Sequence, residues 1–190
     1  MLKILKNILI RKRSHTRNQL EDWLHSLKID ADLVADVSSD QWPAKNRVKS
    51  WNVKQYDFLN LPEYDLNKPW EAKEVYDIVF CIEIFEYVYN PMQAVTNLYN
   101  ILKMGGELYV SFHFIYPHHS AKKIDYLRYT RWGVEKLLEE VGFRSWVIVP
   151  RYLKTPELIR QVYLDERMRG NNNNRGELHD AQGYLVKATK

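Results

Sequence analysis

The sequence predicts an α/β domain: a mostly parallel sheet with helices on both faces. Three observations carry this. Residues 76–82, Y-D-I-V-F-C-I, form an apolar, β-branched run broken only by Asp77. Residues 92–102 follow the Asn90-Pro91 break and place Ala94, Val95, Leu98, Ile101 and Leu102 at helical spacing. Residues 107–112 form a second apolar run just beyond Gly105-Gly106. Strand, helix and strand joined by short connections make a βαβ unit, and that unit requires parallel strands covered by helices.

Length and composition agree with one globular domain. The chain has 190 residues, 45% hydrophobic and 27% charged, enough to bury a core. The single cysteine, Cys81, lies inside the predicted buried strand and has no intrachain partner. That points to a reducing compartment, and no apolar run reaches the ~20 residues of a membrane span. The expected location is therefore cytoplasmic. The charge is uneven. Residues 1–20 hold Lys3, Lys6, Arg11, Lys12, Arg13 and Arg17 with no acid, a local +6 against +4 for the whole chain. A nucleic-acid binder spreads basic charge over a face, so this pattern argues against nucleic acid.

Along the chain, Leu2, Ile4, Leu5, Ile8, Leu9 and Ile10 form an apolar stripe between lysines. Such a basic amphipathic segment either docks on the domain or a partner, or lies on an anionic membrane. With a second helix over residues 17–29, residues 1–30 read as a helical extension and residues 31–190 as the main domain. The first strand is residues 32–37 and the next, weaker one is residues 53–61, separated by a polar stretch with Pro43. The central unit follows. Beyond its second strand comes H-F-I-Y-P-H-H-S-A-K-K-I-D-Y-L-R-Y-T, the richest polar and aromatic loop. Thr130 caps a helix over residues 131–141 and Gly142 ends it. A strand over residues 143–150, a helix starting at Thr155-Pro156 and running to 169, an Asn-rich loop over 170–176 and a last strand over 183–189 complete the chain.

Ligands in open α/β sheets bind beyond the strand C-terminal ends. Cys81 and Glu83 stand at such an end, and so does His113, the first residue past the next strand. His113 is the candidate general base, since imidazole titrates near neutral pH. His118 and His119 lack a third ligand, so no metal is expected.

The run Y-D-I-V-F-C-I-E-I-F-E-Y-V-Y-N-P followed by L-K-M-G-G resembles the central signature of class I S-adenosylmethionine-dependent methyltransferases of the small, single-domain type. Glu83, Glu86 and Gly105-Gly106 match it. Tyr87 stands where His is usual and Met104 where Pro is usual. The segment I-D-Y-L-R-Y-T-R-W-G-V-E-K-L-L-E-E-V-G-F is similar to that family's last core helix. The resemblance implies a Rossmann-like, seven-stranded sheet closed by a terminal antiparallel hairpin. It implies S-adenosylmethionine as cofactor and a small-molecule or glycan acceptor.

Residue by residue, the resemblance assigns Asp36 as the acid opening the first-turn motif, with Val37, Ser38 and Ser39 forming the turn. Both serines occupy places where glycine is usual. Asn60 falls where a ribose-binding acid is expected, and Asp65 and Leu66 fall at the adenine. Simple strand-end or turn capping is the competing reading for Asn60 and Asp65. Arg128 and Tyr129, with Tyr87, border the acceptor side. The missing glycines keep a second reading open: a catalytically inactive binding or scaffold protein of this fold. A nicotinamide-dependent enzyme is disfavoured because no Gly-x-Gly-x-x-Gly follows the first strand.

Overall fold

The computed structural model describes residues 14–38, 41–71, 73–118, 123–155, 157 and 181–190. Within them lie α1 (His15–Ser26), β1 (Lys28–Asp36), β2 (Ser50–Phe58), β3 (Tyr76–Cys81), α2 (Pro91–Ile101), β4 (Leu102–His113), α3 (Arg131–Val141), β5 (Ser145–Tyr152) and β6 (Ala181–Thr189). The strand order is β2-β1-β3-β4-β6-β5. The first four strands are parallel, and β6 runs antiparallel to both β4 and β5. The expectations for residues 2–10, Ser39, the helix over 156–169 and the loop over 170–176 fall outside the described residues. The strand β1 starts at Lys28, so it crosses the boundary expected between residues 30 and 31.

Alternation along the strands feeds two cores. Val79 and Cys81 of β3 and Leu108, Val110 and Phe112 of β4 face a layer built with Ala94, Val95, Leu98 and Ile101 of α2 and Val134 and Leu138 of α3. Ile78, Phe80 and Tyr109 face the other side, where Leu20 and Leu24 of α1 are fully buried. The helix ends follow local chemistry. Asn90 accepts from Gln93 N–H ahead of Pro91, Thr130 accepts from Gly133 N–H, and Gly142 closes α3 at φ 103°. The helix α2 ends at Ile101, one residue short of the expected 102, and Leu102 opens β4, which contains Gly105 (φ 79°).

Among the described residues the sheet has six strands, where seven were expected. Between β2 and β3 a further parallel strand would place β2 in the interior, and the described residues of 59–75 form none. Those residues fold as turns instead. Tyr64 N–H donates to Asn60 O, Lys68 N–H to Asp65 O, and the Trp70 indole N–H to Asp65 O. Pro62 and Pro69 withhold two backbone donors from any ladder. So β2 remains an edge.

The chain steps from β1 outward to β2, then returns across β1 to β3. Connections leave in opposite directions from that point, and a crevice opens beyond the strand ends.

Candidate functional site

A cleft of about 390 Å³ occupies that crevice. Its walls include Val37 and Ser38 after β1, Leu59 and Asn60 after β2, Asp65 and Leu66 in the following turns, and Ile84 and Tyr87 after β3. Six residues expected at the site from the sequence therefore meet here: Val37, Ser38, Asn60, Asp65, Leu66 and Tyr87. Among the described residues Asp65 is the one charged group in the lining. Its Oδ1 accepts from Asn67 N–H at 3.0 Å, which holds the carboxyl below the usual range. Gln41 and Trp42 are exposed and do not line the cleft.

The turn after β1 is built without glycine. Asp36 is fully buried, and its carboxylate accepts from Ser38 N–H and Ala44 N–H, each at 2.8 Å, and from the Tyr56 hydroxyl. Burial and the neighbouring carboxylate push the Tyr56 phenol far up, so it stays a donor. Ser38 turns its hydroxyl toward β3 and accepts from Ile82 N–H at 3.0 Å. The turn is thus stitched to β3 by a side chain where a glycine loop would use backbone alone. Among the described residues of the connection to β2 there is no α-helix, and a 3-10 turn spans Ala44–Asn46.

Beside the cleft, the other faces of the same strand ends converge on a buried charge cluster. Glu83 takes φ 60°, a left-handed conformation costly for a side-chain-bearing residue. That turn aims its carboxylate at Ser111 Oγ (2.9 Å), Arg151 Nη2 (3.0 Å) and His113 Nε2 (3.4 Å). Burial opposes its ionisation, but Arg151 and His113 outweigh burial and lower its pKa. His113 is 2% exposed and also lies 3.2 Å from Glu86. Burial disfavours the imidazolium, while Glu83 and Glu86 overcome it and raise the pKa to about 9. Arg151 Nη2 stands 3.2 Å from Nδ1 on the opposite side of the ring. Cys81 is buried in the core, and burial raises its thiol pKa. Neither Cys81, Glu83 nor His113 lines the cleft.

The loop after β4 is clamped by Arg128. Its guanidinium forms a two-pronged pair with Asp125 and donates to Tyr116 O (3.1 Å) and Pro117 O (3.3 Å). Arg128 thereby ties together the two arms of the loop. Tyr129 is buried, its hydroxyl donating to Phe85 O. Tyr126 N–H donates to Glu86 O at 2.7 Å, so the loop is pinned to the β3–α2 turn. Ile124 of this loop lines the cleft, and Tyr126 packs edge-on against Tyr89 at its rim.

Sequence reasoning missed Tyr64, Asn67, Ile84, Val88 and Ile124 in the cleft and Ser111, Arg151 and Gln182 in the cluster. Ser111 had a signal, since it lies two residues before His113 on the same face of β4. Arg151 had none. It reaches His113 across β6 because Gly183, paired in register with both, carries no side chain; a Cβ there would meet Phe112 O at 2.4 Å and Arg151 Nη2 at 3.1 Å.

A family described as "Methyltransferase domain" matches residues 18–108, from α1 into β4. The phosphoethanolamine N-methyltransferase 2 of Haemonchus contortus, in complex with S-adenosyl-L-methionine, superposes with TM-score 0.59 at 12% identity over 92% of this chain and 52% of that one. This chain has the class I methyltransferase fold. It spans about half the length of the Haemonchus enzyme. An S-adenosylmethionine-dependent methyltransferase of Mesorhizobium loti covers 92% of this chain and 98% of its own, with TM-score 0.54 and 11% identity. A Haloferax volcanii methyltransferase complexed with the Trm112 activator gives TM-score 0.56 and 12% identity over 92% and 88%. No curated protein matches this methyltransferase-fold chain in sequence. Among its described residues no helix is long and apolar enough to cross a membrane.

Proposed function

We propose that this chain is an S-adenosylmethionine-dependent methyltransferase whose acceptor is a small molecule or a glycan. The observation carrying the reading is the cleft at the β1–β3 crossover, lined by Ser38, Asn60, Asp65 and Leu66. Its chemistry suits the cofactor. Val37, Leu59 and Leu66 offer apolar walls to a flat base. Asn60 offers both an acceptor and donors to ribose hydroxyls. Asp65 is the one charged group in the described lining; its Oδ2 stands 3.4 Å from the exposed Lys68 ammonium, and the carboxylate suits a ligand with a sulfonium and an ammonium against one carboxylate.

When bound, the cofactor supplies an electrophilic methyl group. The chain's own residues position the acceptor against it, which is where most of the acceleration in such transfers arises. Tyr87 and Ile124 face the acceptor side of the cleft. Burial and Glu86 raise the Tyr87 phenol to about 12, so it acts as a neutral donor. His113 lies outside the cleft lining, with Nε2 on Glu83 and Glu86 and Nδ1 beside Arg151, so a role as proton acceptor requires both loss of its proton and an opening of this cluster onto the cleft.

Isothermal titration with S-adenosylmethionine tests the reading. The expected dissociation constant is on the order of 1 μM, about −8 kcal/mol. Absence of heat at millimolar cofactor overturns it and favours the inactive scaffold, a reading motivated by the serines in the first turn.

A further inference from the structure

We propose, on the reading of the cleft as a cofactor site, that Arg151 is a positioning residue: from β5 it holds Glu83 in a left-handed turn, and that turn sets the cleft wall made by Ile84, Tyr87 and Val88. Glu83 has φ 60°, a region that a residue with a Cβ enters only at a cost. Such a conformation persists where its surroundings over-determine it. Here two strands do so. Ser111 of β4 accepts from Glu83 N–H at 2.8 Å and donates to Glu83 Oε1 at 2.9 Å. Arg151 Nη2 of β5 meets the same oxygen at 3.0 Å, and His113 Nε2 stands 3.4 Å from the other one. Ile84, the next residue, precedes the 3-10 turn Phe85–Tyr87, and its carbonyl accepts from Tyr87 N–H at 2.9 Å. Ile84, Tyr87 and Val88 all line the cleft. On the other side of Glu83, Ile82 N–H is fixed on Ser38 Oγ. A change of φ at Glu83 therefore swings the wall against a fixed strand end.

Stability is a weak reason for a guanidinium at this place. Arg151 is 1% exposed, and among the described residues nothing accepts from its Nε. A buried ion pair is often no more stabilising than packed apolar side chains of the same volume. Fixing a strained turn is a stronger reason. Burial opposes the charge on Glu83, and Arg151 is the strongest of the groups that sustain it. The Glu83 side chain is 22% exposed, so with the guanidinium gone the carboxylate has a path to water. Its backbone then relaxes toward negative φ, and Ile84 and the turn after it move with it.

The test compares wild type with Arg151→Met, with Arg151→Met plus Glu83→Gly, and with Arg151→Met plus Glu83→Ala. The two double variants lack both charges and differ by one Cβ; glycine takes positive φ freely and alanine does not. S-adenosylmethionine is titrated calorimetrically into each full-length chain, well below its melting transition. Arg151→Met binds about tenfold more weakly, the scale of releasing one left-handed residue, because the apparent dissociation constant rises as the competent fraction falls. The glycine double variant binds at least about fivefold more tightly than the alanine one, on the same scale. Equal affinities for that pair overturn the proposal, and so does a folded Arg151→Met that binds like wild type. If Arg151→Met does not fold, the glycine and alanine pair decides, since neither leaves the Glu83 carboxylate without its cation. A second readout needs no cofactor: the NOE between Hα and HN within residue 83, strong at positive φ. It is strong in wild type and weakens in Arg151→Met; an unchanged NOE overturns the proposal. If wild type gives no heat with the cofactor, the methyltransferase reading falls, and the NOE still decides whether Arg151 holds the turn.

Discussion

Ser38 is the residue on which the cleft's construction turns, and replacing it by alanine isolates its contribution. In the structure its hydroxyl accepts from Ile82 N–H at 3.0 Å, and Ser38 is 2% exposed. Ser38→Ala removes the acceptor and leaves a buried amide N–H without one. An orphaned buried donor costs about 1–3 kcal/mol. For a domain of this size each kcal/mol moves the melting temperature by about 2–4 °C, so the expected fall is roughly 2–12 °C. Urea unfolding should show the same loss as a lower midpoint with an unchanged slope. The hydroxyl is committed to β3, so the methyl side chain leaves the cleft's shape intact, and cofactor affinity should change by less than about tenfold, 1.4 kcal/mol. A melting temperature within about 1 °C of wild type would refute the stitch, because even the lower bound of the estimate moves it further. A loss of affinity beyond tenfold with stability unchanged would place the hydroxyl on the ligand instead.

Three further outcomes follow from the charged groups. If His113 is the proton acceptor, its pKa of about 9 means that kcat/KM measured against pH rises up to that value and then levels; His113→Ala should abolish the rise, and a flat profile in the wild type removes His113 from the chemistry. The same shift makes a stability statement: the folded pKa is raised, so the contribution is complete below the unfolded value and fades as pH climbs through about 9, which thermal melts across that range would read. Glu21 and Arg47 form a buried pair that ties α1 to the β1–β2 connection, at 3.0 and 3.1 Å. Glu21→Ala strands the guanidinium and should cost about 3–5 kcal/mol, whereas Glu21→Met with Arg47→Leu should cost far less, and equal losses in denaturant melts would contradict the pairing.

The sequence by itself determined the central βαβ unit, because period-3.6 and near-continuous apolar patterns are local properties of a chain that must bury one stripe or two faces. It also determined the Thr130 cap and the Gly142 stop of α3, whose hydrogen bonds span only a few residues, and the break at Asn90-Pro91. Val37, Ser38, Asn60, Asp65 and Leu66 are assigned to the cofactor by the resemblance to the methyltransferase family, and the structure brings them to one cleft beyond the strand ends. The tertiary structure alone decided that the sheet stops at six strands, that Ser38 faces β3, and that Arg151 crosses β6 to reach His113 and Glu83. Those outcomes rest on partners separated by dozens of residues. Pairing register and the vacant Cβ position of Gly183 bring them together, and neither quantity is expressed in the periodicity of any one segment.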